Sequence, residues 1–229
     1  AQALALGMAG IGIADRNTVA GVVRAHVALR TAMAKAREEG LPTPEFRLVV
    51  GARLVFADGT PDIIAYPQDR RAWGRLTRLL TRGNLRAEKG DCILYLDDLL
   101  EHAEGLLLIA FADDRHVEIL RCIAAACPRR LWLAATMPRR GDDERRLARL
   151  RELGAALFLP LIATNDALYA TPDDRPLHDV LTCIRDKCTI ATAGRRLEAN
   201  AERHLKAPPE MDRLFRTCPE AVVESLKLL

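Results

Sequence analysis

Short apolar runs of strand length recur along this chain, and amphipathic helical stretches separate most of them. The runs are MAGIGIA from Met8, FRLVVGARLVF from Phe46, PDIIAYP from Pro61, GLLLIAF from Gly105, RLWLAAT from Arg130 and FLPLIAT from Phe158. Helical spacing places Val19, Val22, Val23 and Val27 on one face of a first long helix, capped by Asn17 or Thr18 and stopped by Gly40, Pro42 and Pro44. Further helices are predicted over residues 70–82, 96–103, 117–126 and 142–153. The tail from Asp173 is helical, with breaks at Gly194, Pro208, Pro209 and Pro219. Asp58-Gly59, between two β-rich runs, predicts a hairpin. Elsewhere the alternation predicts a parallel sheet, because each parallel pair needs a crossover connection. An α/β barrel with a helical C-terminal appendage fits, as does an open doubly wound sheet.

At 229 residues the chain makes one large domain, or one with an appendage. Its 49% hydrophobic and 28% charged residues with mean hydropathy −0.03 exclude long intrinsic disorder. No apolar run approaches the ~18 residues that span a bilayer, and residues 1–14 lack the basic start of a signal peptide. A cytoplasmic protein without a membrane partner is expected. The chain opens inside an apolar helical pattern, AQALALG, and reads as a fragment. Six cysteines are too few for a disulfide scaffold. The pairs Cys122/Cys127 and Cys183/Cys188 share a C-x4-C spacing, but five steps along a helix turn about 140°, so buried free thiols are expected rather than a metal pair.

In a parallel α/β fold the loops after the strands form the functional face. Asp15 closes the first run and Asp166 the last, so both are expected on one rim as candidate metal ligands. Their ordinary structural roles are a helix cap for Asp15 and a turn for Asp166. The five histidines, His26, His102, His116, His178 and His204, show no HExxH or HxH pairing and read as structural or surface residues. Neither GxGxxG nor GxxxxGK[ST] occurs. One feature points to polyanions. Arg71, Arg75, Arg78 and Arg82 recur at i, i+4, i+7 and i+11 on the helix carrying Trp73, Leu76 and Leu80. Residues 69–89 hold six Arg and one Lys against Asp69 and Glu88, a local +5 within a chain of net +3. Such a stripe either tracks a nucleic-acid backbone or is a solvated face neutralised by Asp97, Asp98 and Glu101. The mixed string RRGDDERRLAR, residues 139–149, reads as an ordinary exposed helix.

Five strings then appear in one order: ADRNTVAGVVRAH (14–26), VVGARLVFADG (49–59), LLEHAEGLLLI (99–109), LIATNDALY (161–169) and HDVLTCIRDKCTI (178–190). NAERHLKAPPEMDRLF (200–215) follows. The chain resembles the N-terminal PHP (polymerase and histidinol phosphatase) domain of bacterial C-family DNA polymerases, in their error-prone, translesion branch. The resemblance implies a distorted seven-stranded β/α barrel over residues 1–190, its first strand upstream of Ala1, and a helical segment over residues 191–229 leading to the polymerase core. A sheet lacking that strand has an open edge, so the chain alone is expected to be poorly stable or to associate.

Active PHP domains hold metals with an HxH, an Asp-His pair, a Glu and a final Asp-x-His. Here the corresponding places are Asp15-Arg16, a position near Arg53 without the Glu, and Asp166-Ala167-Leu168. Arg16 puts a fixed positive charge where a cation would sit. The resemblance therefore implies a non-catalytic domain of an enzyme for translesion synthesis in damage-induced mutagenesis. Magnesium would serve the polymerase carboxylates beyond this chain. Partners would be DNA, the rest of the polymerase chain and accessory proteins of replication or mutagenesis. The alternative is a metal-dependent phosphoesterase or 3'-5' exonuclease holding Zn or Mn through Asp15 and Asp166.

Overall fold

The computed structural model describes residues 1–42 and 45–229; Pro44, one of the expected helix stops, lies outside them. Six strands form a single sheet in chain order: β1 (Gly10–Arg16), β2 (Arg47–Leu54), β3 (Ile63–Pro67), β4 (Leu106–Ala110), β5 (Leu131–Ala135) and β6 (Leu161–Ala163). The pairs β1–β2, β4–β5 and β5–β6 are parallel, while β3 runs antiparallel to both its neighbours. The expected parallel sheet is thus a mixed one. Its antiparallel part begins at the predicted hairpin, where Gly59 takes φ +84° and Asp58 accepts bonds from Thr60 N at 3.1 Å and Leu96 N at 2.7 Å.

Helices α1 (Gln2–Ala5), α2 (Gly21–Glu38), α3 (Arg70–Arg86), α4 (Leu96–His102), α5 (Val117–Ala126), α6 (Asp143–Leu157), α7 (Arg175–Arg185), α8 (Ile190–Ala193), α9 (Pro208–Leu214) and α10 (Pro219–Leu228) complete the fold. Pro208, Pro209 and Pro219 open helices rather than merely interrupting them, since proline's missing N–H costs nothing in a first turn. One correction concerns α2. Its apolar positions are not buried: Val23 and Val27 are 69% and 54% exposed. Nor does Asn17 cap it; the Asn17 side chain instead pairs with the backbone of Val55, accepting from N at 2.8 Å and donating to O at 3.1 Å.

Strand alternation divides the apolar side chains between two faces. On one face Ala52, Leu54, Ile63, Ala65, Leu106, Leu108, Leu131 and Leu133 pack with Leu76 and Leu79 of α3 and with Leu120 and Ile123 of α5. On the other, Ile64, Tyr66, Ile109, Ala134 and Ile162 form a smaller cluster. That second face is concave: one cavity of about 680 Å3 is lined by Ala14 of β1, Ile64 of β3, Ile109 of β4 and Ile162 of β6. The sheet is therefore curled into a half-barrel. α10 packs along β6, with Ala221 in the helix-side core and Leu228 in the concave cluster. Covering an edge strand with a helix removes a surface on which another chain could add. Segment 191–229 also gives Phe215 and Cys218 to the main core.

Candidate functional site

At the C-terminal rim of the half-barrel, register and pleat decide which side chains converge. Asp15 lies opposite Ala52 and Arg16 opposite Arg53 across the β1–β2 pair. Ala52 belongs to the helix-side core, so Asp15 turns that way, and its Oδ2 accepts from Gly21 N at the start of α2, 2.7 Å away. A carboxylate suits the positive end of a helix. β1 runs on through Asp15 and Arg16 instead of ending at Ala14, and this extra length fixes the orientation. Asp166 lies on the concave side with Arg53. Asp15 and Asp166 both end strands and line one cavity, but their carboxylates are engaged separately, Asp15 by Gly21 N and Asp166 by Arg53, and do not converge on one ligand position.

Arg53 takes the centre. Its Nε donates to Asp62 Oδ2 and its Nη1 to Asp166 Oδ1, each at 2.8 Å, and its guanidinium stacks on Phe111, 4.3 Å from the ring centroid. Arg203 clamps Asp166 from the other side, donating to the second carboxylate oxygen and, through Nε, to the Asp166 carbonyl at 2.9 Å. Arg203 also donates to Glu198 at 2.7 Å, and Arg140 donates to the other Glu198 oxygen at 2.6 Å. Asp62, Arg53, Asp166, Arg203, Glu198 and Arg140 thus form one line of alternating charge, three acids against three bases. Asp166 holds this place with φ +45°, a conformation aspartate tolerates better than most residues.

The electrostatics follow the geometry. Burial opposes the Arg53 charge, but Asp166 and Asp62 outweigh it and hold its pKa above the ordinary arginine value. Burial likewise pushes Glu198 up, yet the hydrogen bonds and charges of Arg203 and Arg140 prevail and leave its pKa lowered. Tyr66 is shifted far upward, first by burial and then by the Asp166 charge, so it stays a neutral phenol.

The donor set does not suit a metal. Both Asp166 oxygens are taken by guanidinium groups, Asp15 is engaged by Gly21 N, and among the described residues no three His, Cys, Asp or Glu side chains converge. Arg16 is exposed beside this rim. The histidines are scattered: His26 is exposed on α2, His102 bonds to Asp98 O, His116 to Asp113, His204 to Ala201 O, and His178 meets the Tyr169 ring edge-on. Asp62, Arg203, Glu198 and Arg140 escape sequence reasoning; the available signal was the lack, near Arg53, of the glutamate that the resemblance implies.

The arginine stripe on α3 divides into two halves. Arg75 pairs with Glu104, and Arg82 with Glu101 and Asp98. Arg71 and Arg78 are exposed, with no ion pair among the described residues. Arg86, outside the predicted stripe, joins Arg82 on Asp98. Of the acids expected to neutralise this face, Asp98 and Glu101 do so and Asp97 does not.

No protein-family model matches the chain. An error-prone DNA polymerase of Bradyrhizobium diazoefficiens is 50% identical over 236 residues, covering 99% of this chain and 20% of its own length. Those of Rhodopseudomonas palustris and Brucella abortus are 52% and 51% identical over 233 and 226 residues, covering 99% and 96% of this chain and 20% of theirs. The chain spans about a fifth of the length of the curated relatives it matches. A solved structure described as a candidate metal-dependent phosphoesterase from Bifidobacterium adolescentis is 16% identical with a TM-score of 0.47, over 72% of this chain and 79% of that one; so distant a likeness assigns neither fold nor chemistry. No helix among the described residues is long and apolar enough to cross a membrane.

Proposed function

We propose, for a chain that belongs to the error-prone DNA polymerases as a segment about a fifth of their length, that it is the PHP domain of such an enzyme and a non-catalytic support for its polymerase core. The observation that carries this reading is the double occupation of Asp166 by Arg53 and Arg203. Guanidinium groups cannot be displaced by a change of protonation at neutral pH, so the rim is a fixed ion-pair network where a hydrolase needs free carboxylates. Nucleotidyl transfer, with its magnesium, belongs to carboxylates elsewhere in the full-length polymerase, acting on damaged templates in the cytoplasm. DNA contact by this segment falls to Arg71 and Arg78, the part of the α3 stripe not neutralised within the fold.

The test uses the full-length polymerase. Its metal content and its 3'-5' exonuclease activity are measured with and without Asp15→Asn and Asp166→Asn. The support reading expects no stoichiometric Zn or Mn attributable to these residues, and polymerase activity that falls only with the folded fraction. Zn or Mn lost in both variants together with phosphodiester hydrolysis would overturn it in favour of the phosphoesterase.

A further inference from the structure

Cys183 and Cys188 meet because α7 stops between them. Its last helical residue is Arg185, and Lys187 takes a left-handed backbone with φ +51°. Lys187 N then donates to Ile184 O at 3.3 Å and Cys188 N to Cys183 O at 3.0 Å. This is a Schellman turn, in which the second residue past the cap folds back onto the third from the helix end. An apolar pair commonly fills that contact; here both members are cysteines. The 140° separation expected of a C-x4-C pair holds only inside a continuous helix, and that expectation is corrected for this pair. The other pair stays apart for a different reason: Cys122 is exposed on α5, whereas Cys127 is buried beyond its end with Sγ toward Ala103 O. Nor are the thiols uniformly buried, since Cys92 and Cys188 are half-buried and Cys122 is exposed.

We propose that Cys183 and Cys188 are a reversible disulfide site, closed by a hydroperoxide. The Cys188 thiolate attacks a peroxide oxygen, the O–O bond breaks, and the leaving oxygen departs as water or an alcohol. Cys188 is left as a sulfenic acid. Cys183 then gives up its proton and attacks the Cys188 sulfur, expelling hydroxide that leaves as water. Two thiols are oxidised by two electrons and the peroxide is reduced by two. Thiol–disulfide exchange with an excess of a small dithiol reverses the step.

The surroundings assign the two roles. Half-buried Cys188 is the accessible attacker. Cys183 is buried, and burial raises its pKa. It suits the resolving position, which engages only once its partner is oxidised.

The sequence makes the test clean. Trypsin cleaves after Arg185 and Lys187, so the two cysteines fall on different peptides and only a disulfide joins them. The full-length polymerase is treated with hydrogen peroxide, alkylated, digested and weighed. The expected product is one linked pair, joining the peptide that ends at Arg185 to the peptide 188–195. It should be released by dithiothreitol, lost in Cys188→Ala, and without counterpart at Cys122 and Cys127. The proposal is overturned if both cysteines still alkylate separately after peroxide, or if Cys188 passes to the sulfinic acid while Cys183 stays free.

Discussion

Arg53 on β2 and Asp166 beyond β6 are in contact at 2.8 Å, although four strand positions separate them in the sheet. At about 4.8 Å per strand a flat sheet would hold β2 and β6 roughly 19 Å apart, beyond the reach of these two side chains. The ion pair therefore both requires the curl of the sheet and helps to maintain it. The side chains are only 23% and 19% exposed, so truncating either leaves a charge poorly solvated. Arg53→Met or Asp166→Asn should each lower unfolding stability by about 2 kcal/mol, between exposed and fully buried pairs. Denaturant titration of the singles and the double should reveal a coupling near 1 kcal/mol; additive losses would show that the contact does not hold the rim.

The rim also carries a signed pH dependence. Glu198 has a folded-state pKa below its ordinary value, despite burial, because Arg203 and Arg140 hold the charged form. A depressed carboxylate contributes its stability in full above the unfolded-state pKa and loses it as pH falls through the folded one. The urea midpoint should be flat from pH 7 to about 5 and then drop. Arg203→Met should make that acid limb shallower, as seen by the same titration repeated at each pH.

Close packing of β1 and β2 on Tyr66 and its strand gives a steric prediction. A Cβ on Gly12 would lie 2.1 Å from the Tyr66 hydroxyl and 2.8 Å from its Cζ, whereas one on Gly51 would lie 2.1 Å from the Ala65 carbonyl oxygen. Both Gly12→Ala and Gly51→Ala should cost roughly 1 to 3 kcal/mol by overpacking. Tyr66→Phe removes the atom that blocks Gly12 and leaves the backbone that blocks Gly51. Thermal melts should accordingly show partial rescue of Gly12→Ala by Tyr66→Phe and none of Gly51→Ala.

The division of the α3 stripe predicts a graded response to salt. If Arg71 and Arg78 are the phosphate-facing half, replacing both with Gln in the full-length polymerase should reduce the slope of log K against log salt for duplex DNA by up to about 1.8, two phosphates at 0.9 each. Replacing Arg75 should leave that slope nearly unchanged and lower thermal stability slightly, because its charge is spent on Glu104. Equal slopes in all variants would remove α3 from the DNA interface.

Local chemistry wrote much of this protein directly into its sequence. Apolar runs of the right length became strands, Asp58-Gly59 became the hairpin, and the prolines read as breaks in the tail mark the boundaries of α9 and α10. Each depends on residues within a few positions of one another, so spacing and residue type suffice. Which carboxylate meets which cation was decided only in three dimensions. Asp15 turned to α2 because β1 runs two residues farther than its apolar stretch, which fixes the pleat on which its side chain falls. Asp166 found Arg53 and Arg203, 113 and 37 residues away in the chain, because curling the sheet brings its last strand toward its second. Cys183 found Cys188 because a helix ended two residues past the first of them. Helical periodicity carries no information about its own termination, and pairing across a curled sheet carries none in sequence distance; both are settled by the packing of the whole chain.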